Sequence, residues 1–181
     1  MSVSVEKTIK NLELNNIKAY YAENKAEVCK IVSDLLFDGA VITAGGSVSL
    51  KESGVWDIIE SGKYKFYDRA KPGITDEERL EAFKAAIGCD FFFCSSNAVT
   101  ENGELVNVDG TANRISSICF GPKNVIMIAG INKLVKNVDE GLLRIKRTAA
   151  PKNTERLKID APCRKLGHCV SLLKNACPDM T

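Results

Sequence analysis

No apolar run in this sequence approaches the roughly 18–20 residues that span a bilayer, so no membrane-spanning helix is expected. The first residues, Met1 to Leu14, also lack the continuous apolar centre of a signal peptide, because Glu6, Lys7 and Lys10 interrupt them. An excess of one charge is missing too. The formal net charge is +2, and the lysines and arginines are spread along the chain, which gives no electrostatic reason to expect nucleic acid as a partner. Neither a Gly-x-Gly-x-x-Gly dinucleotide turn nor a P-loop lysine is present, and no flavin or nicotinamide motif is seen. Hydride transfer by this chain alone is therefore not expected. Internal repeats, low-complexity stretches and dividing linkers are absent, Arg69 to Gly73 being the nearest thing to one.

What is present suits one α/β domain. At 181 residues, 45% hydrophobic and 27% charged, the chain can bury one sizeable core and is short for two ordinary domains. A single domain over residues 1–181 is expected, with a cysteine-containing tail from about residue 160 to 181. Seven cysteines, an odd number without an export signal, point to reduced thiols in a cytoplasm. Val5, Ile9 and Leu12 predict an amphipathic N-terminal helix, and Ile17 to Ala22 reads as a strand. Asn24 with Glu27, and Thr75 with Glu78, are capping-box pairs that open helices. The first helix carries Val28, Ile31, Val32, Leu35 and Leu36 as its stripe; the second offers Leu80, Phe83 and Ile87 as a buried face. Short apolar runs at Ala40–Thr43, Phe91–Cys94 and Val125–Ala129 are strands of the kind buried on both faces. Asn137 with Glu140 starts a long helix through Leu142, Ile145 and Ala149. The alternation implies a three-layer fold: a mainly parallel sheet covered by helices on both faces. Asn102-Gly103 adds an antiparallel hairpin inserted in that frame.

Four groups of residues could carry chemistry. Gly45, Gly46, Ser47 and Ser49 follow the first buried strand, where glycines permit close backbone approach and N–H groups favour an anion. An ordinary strand-to-helix turn with Ser47 as N-cap fits the same residues. Asn97, Glu101, Asn107, Asp109, Gly110, Asn113 and Arg114 crowd into and beyond the hairpin. There Glu101 offers a general base or nucleophile and Arg114 an anion partner, although turns use the same residue types. Asn132 and Lys133 follow the third buried strand, at the end where open α/β sheets bind ligands. Arg144, Arg147 and Asn153, near the last helix, join them, although solvation of the final helical turns is the plainer alternative for the two arginines. Cys163, His168, Cys169 and Cys177 could ligate zinc or an iron–sulfur cluster, but compact Cys-x-x-Cys spacing is absent and reduced thiols are the simpler reading. Cys29, Cys89, Cys94 and Cys119 sit in apolar patterns as core residues.

Asn97-Ala98-Val99-Thr100-Glu101-Asn102-Gly103 and Val108-Asp109-Gly110-Thr111-Ala112-Asn113-Arg114 together resemble the lactate-utilisation (LUD) domain family. Phe120 to Lys123, Gly130 to Lys133 and Arg147 to Pro151 continue the likeness in order. The resemblance implies the fold of sugar-phosphate isomerases and coenzyme A transferases. Thr43-Ala44-Gly45-Gly46-Ser47 is similar to a deaminase phosphate loop, and Thr100-Glu101-Asn102-Gly103 to the segment bearing the transferase nucleophile. It implies a small anionic metabolite as ligand and a link to lactate or related hydroxy-acid use with separate redox subunits. Glu101, Asp109 and Lys133 would then be the reactive groups. Convergence of Glu101, Asp109, Asn113, Arg114 and Lys133 beside the Gly45 turn is expected. Acyl or coenzyme A transfer, or sugar-phosphate isomerisation, through Glu101 is the enzymatic alternative, and a non-catalytic accessory subunit the other; a homo-oligomer is compatible with each. Three departures from the family stand out. Ala112 replaces a common Gly, the position near Leu172 lacks a cysteine, and relatives often continue beyond Thr181, which implies a missing last element.

Overall fold

The structure, a computed structural model, describes residues 3–170. It contains two compact units. A sheet unit comprises Tyr21–Ser95 and Asn113–Ala129; a hairpin unit comprises Met1–Tyr20, Ser96–Ala112 and Gly130–Thr181.

In the sheet unit, β1 (Val41–Ala44), β2 (Lys65–Tyr67), β3 (Phe91–Cys94) and β6 (Asn124–Met127) pair in parallel in the order β2-β1-β3-β6. Val41, Phe92 and Ile126 therefore lie on neighbouring strands, as expected, but β6 is an edge strand and only partly buried, not covered on both faces as Val125 to Ala129 suggests. The two-residue period of a strand splits the phenylalanines between faces. Phe91 and Phe93 pack with Ile42 against Val32 of α2 (Lys25–Leu35), Leu50 of α3 (Val48–Glu52), and Val55 and Ile59 of α4 (Val55–Ile59). Phe92 and Cys94 face the other way, with Cys89, Val125, Met127 and Ile118 of α6 (Asn113–Cys119). Each such side chain fully buried contributes about 1.5–3 kcal/mol. α5 (Asp76–Ala86) also packs on β1 and β2. The result is helices, sheet, helices: the expected three-layer α/β arrangement.

In the hairpin unit, β4 (Ala98–Thr100) pairs antiparallel with β5 (Leu105–Val106) and parallel with β7 (Leu134–Val135), forming a second, mixed sheet. Ala98, Val106, Val135 and Ile145 make its core. α7 (Val138–Arg144) reaches that core through Gly141, where a Cβ would meet Val106 Cγ2 at 2.9 Å. α1 (Val5–Leu14) lies over the hairpin turn: a Cβ on Gly103 would stand 2.6 Å from the Asn11 backbone.

α7 runs into a π-turn over Ile145–Ala149 and then α8 (Ala150–Arg156), with α9 (Pro162–Leu166) beyond. The widened turn has a cause. Buried Pro151 has no N–H to donate to Arg147, and in a regular α-helix its ring would strike that carbonyl.

Three further expectations are corrected. Ile17 to Ala22 joins neither sheet; α1 ends with Asn16 in the left-handed region (φ 59), and Tyr20 and Tyr21 remain about half exposed. β-propensity alone does not make a strand without a partner edge. On α5, Leu80, Phe83 and Ile87 are exposed, by 53%, 38% and 70%, while Ala82 is buried with Ala85 and Ala86 partly so. Small residues let the helix lie close to the sheet, which turns its larger apolar side chains aside. Arg144, whose plainer alternative is a solvated charge, is instead held against two loop carbonyls, as described below.

Candidate functional site

The sheet unit has a topological switch point. From β1 the chain moves outward to β2, then returns to place β3 on the other side of β1, so the loops leaving β1 and β3 diverge. Open α/β sheets bind ligands in the crevice so formed, outside the carboxyl ends of the strands. Gly45 leaves β1 at this point. It is buried, and its N–H donates to the Phe93 carbonyl at 2.8 Å, which adds one rung to the ladder. Gly46 is exposed, Ser47 and Ser49 are partly exposed, and Ser47 is the N-cap of α3 without a side-chain cap bond. A Cβ on Gly45 would meet Cys94, Phe92 and the Phe93 carbonyl only at 3.6–3.7 Å, and its φ is unremarkable for any residue. The fold of this unit therefore does not itself require glycine there.

Arg114 arrives at the same strand end. Its Nη1 donates to the Ser95 carbonyl at 2.6 Å, two residues beyond the carbonyl that holds Gly45. Ser95 is itself 6% exposed, and its hydroxyl donates to the Ile128 carbonyl at 2.5 Å. This buried polar residue was not singled out from sequence; its signal was a serine directly after an all-apolar strand. Asn113, which opens α6, accepts from Ser116 and Ser117 through its carbonyl.

Beside these groups, on the Phe92 face, α5 and α6 leave a cleft of about 340 Å³. Thr43, Ala44 and Phe92 form its floor, Phe83 and Ile87 one wall, and Ser117 and Phe120 the other. Arg69 also lines it, with its guanidinium 5.4 Å from the Phe83 ring centroid.

The remaining candidates belong to the hairpin unit. The Glu101 carboxylate accepts from the Ser4 backbone N–H at 2.7 Å and from Lys7 Nζ at 3.1 Å. The Ser4 N–H first, then Lys7, hold its pKa below the ordinary glutamate value. Its carbonyl accepts from Asn11 Nδ2 at 2.6 Å, so its carboxylate and carbonyl both hold α1, while its N–H donates to the Val135 carbonyl. Lys133 ends a 3₁₀ turn and precedes β7, whereas Glu101 follows β4. The two strands are parallel, so Glu101 and Lys133 leave opposite ends of this ladder, and the carboxylate instead has Lys136 nearby.

Asn97 and Asn107 clamp the hairpin: Asn107 Oδ1 accepts from the Asn97 N–H, and Asn97 Oδ1 from the Val108 N–H. Arg144 fastens the loops on either side of that clamp. Its Nε donates to the Asn132 carbonyl at 3.1 Å and its Nη1 to the Asn97 carbonyl. Burial lowers its pKa from the usual arginine value. Asp109 is partly buried and Gly110 exposed in the loop before Ala112.

The LUD domain family model matches residues 5–179. The chain belongs to the LUD domain family. That family is linked to lactate utilisation in general. No curated protein and no solved structure matches the chain.

Several segments that carry the LUD likeness have evident structural work. Ala112 has φ 54, in the left-handed region that favours glycine. Arg147 to Pro151 holds the end of the π-turn and the proline that widens it. The Lys146 carbonyl within that turn accepts from the Cys169 N–H at 2.8 Å, which ties the tail to the helix. Cys163 is buried beside Thr154 Oγ1, and His168 is exposed. Cys177 lies outside the described residues. Among the described residues, no three His, Cys, Asp or Glu side chains gather as a metal-holding group. No helix among them is long and apolar enough to cross a membrane.

Proposed function

We propose that this LUD domain binds a small anionic metabolite where β1 and β3 end, and serves lactate or related hydroxy-acid utilisation together with separate redox subunits. The observation that carries the reading is the pairing of Gly45-Gly46 with Arg114 at the switch point. A glycine that neither backbone angle nor neighbouring atoms demand leaves room for a ligand to approach the main chain, and Arg114 brings a positive charge to the same strand end. With the Gly45 N–H already engaged, the ligand would meet the chain from Gly46 onward. The oxidant for the metabolite's hydroxyl-bearing carbon would come from a partner subunit, since this sequence has no dinucleotide-binding turn.

Transfer through Glu101 gains no support. Its carboxylate caps α1 and pairs with Lys7, so a substrate would have to displace both.

Calorimetric titration of the protein with lactate tests the proposal, with inorganic phosphate as a second anion. Arg114→Ala is expected to weaken lactate binding by about 1.5–3 kcal/mol, the scale of a charge-assisted hydrogen bond. Lactate binding that is unchanged in Arg114→Ala, or a wild-type protein that binds neither lactate nor a larger hydroxy acid, overturns the reading.

A further inference from the structure

The cleft between α5 and α6 adjoins the proposed anion site without being explained by it. The two share Phe92: its ring lines the cleft, and the ring tip is 3.6 Å from the position of a Cβ on Gly45. Ala44 and Asn113 line the cleft as well, and each immediately precedes a residue of the anion site, Gly45 or Arg114. A ligand held by its carboxylate at the strand ends would thus have its remaining atoms directed along Phe92.

Size then discriminates between ligands. Water occupies about 30 Å³ in the liquid, so lactate, with six heavy atoms, would leave roughly half of a 340 Å³ cleft unfilled. The lining is also wrong for so polar a molecule. Phe83, Ile87 and Phe120 stand on its walls over the buried Phe92, and Phe120 and Ile87 are 82% and 70% exposed. Specific pockets of this kind are mostly apolar with a few placed polar groups. Here those groups are Thr43 and Ser117 in the interior and Arg69 beside Phe83.

We infer that the cleft receives the side chain of the metabolite, so that the ligand class is a hydroxy acid with an aromatic or large branched apolar group rather than lactate itself. This rests on the anion site proposed above. The carboxylate sits at Gly46 and Arg114, the ring lies over Phe92 between Phe83 and Phe120, and Arg69 covers the outer edge.

The probes are 3-phenyllactate, lactate and 3-phenyl-1-propanol, titrated into the full chain. Added apolar carbons are worth tenfold or more in a hydrophobic pocket, so phenyllactate should bind at least about tenfold tighter than lactate. Ala86→Leu, which fills the cleft from α5, and Phe120→Ser, which changes a side chain that is 82% exposed, should each remove that advantage and leave lactate affinity unchanged. Equal binding of phenyllactate and lactate overturns the inference and leaves the anion site standing. Phenylpropanol binding without either acid shows an apolar cleft with no anion site, which removes both readings. If Phe120→Ser instead dissociates a dimer and phenyllactate has no effect, the face belongs to a second copy and the inference fails.

Discussion

Two glycine turns, one in each unit, were legible in the sequence, and the structure gives them opposite explanations. Gly103 is fixed by the fold: its φ is +82, and a methyl group there would collide with the backbone of α1 at 2.6 Å. Gly45 has neither constraint, and its nearest neighbours would sit at ordinary contact distance from a methyl group. A turn whose glycine is demanded by packing is spoken for. A turn whose glycine is not demanded, at a switch point beside an arginine, is where an outside molecule has room.

The comparison breaks most directly through alanine at each turn. Gly103→Ala should cost about 3 kcal/mol, combining left-handed strain with backbone overlap. Gly45→Ala should change stability by no more than about 0.5 kcal/mol while weakening lactate-class binding. Urea denaturation measures the first effect and titration the second. If both substitutions destabilise alike, Gly45 is structural and the distinction collapses.

Arg144→Met sharpens the account of the hairpin unit. It leaves the Asn97 and Asn132 carbonyls without their donor, and should cost about 2 kcal/mol in thermal or chemical unfolding. A negligible change would return Arg144 to the role of a solvated charge.

A smaller gain is expected from Ala112→Gly. Relieving the left-handed residue should stabilise the protein by about 1 kcal/mol, part of the benefit being lost to the freer unfolded chain. A lower melting temperature for this variant would contradict the strain.

The smallest effect is an acid one. Because Glu101 has a lowered pKa in the folded state, its contribution is present above the ordinary glutamate value of 4.5 and is lost as the pH falls through the folded value. Hydrogen exchange in α1 should therefore speed up, relative to neighbouring segments, as the pH falls below the ordinary glutamate value. Glu101→Gln, which keeps an oxygen for the Ser4 N–H but cannot titrate, should flatten that difference; an unaltered profile would show that α1 does not depend on this carboxylate.

Local chemistry explains which elements could be read in advance. Asn24, Thr75 and Asn137 cap their helices as their spacing requires, and the Asn102-Gly103 turn joins β4 to β5. Each is settled within a few residues by hydrogen bonds the side chain can reach. The misread elements depend on distant partners. Ile17 to Ala22 has strand-forming residues but no edge to join. The stripe Leu80, Phe83 and Ile87 has helical period, yet the alanine face of the same helix packs inward because it fits closer to β1.

The candidate site divides in the same way. The Gly45 turn, Arg114 and the hairpin polar residues were visible as residue types in a pattern. Which carbonyl Arg114 holds, and that Glu101 caps a helix about ninety residues earlier in the chain, were not. The sequence by itself determined the alternation of helix and strand, the caps, the turns and the family, since these depend on short-range period, φ preference and ordered motifs. Only the tertiary structure decided the strand order that creates a switch point, the commitment of Glu101 to α1, and the cleft beside Phe92. Those depend on which surfaces meet across long loops, and a hydrophobic or polar residue carries no label for the distant neighbour that will bury or bond it.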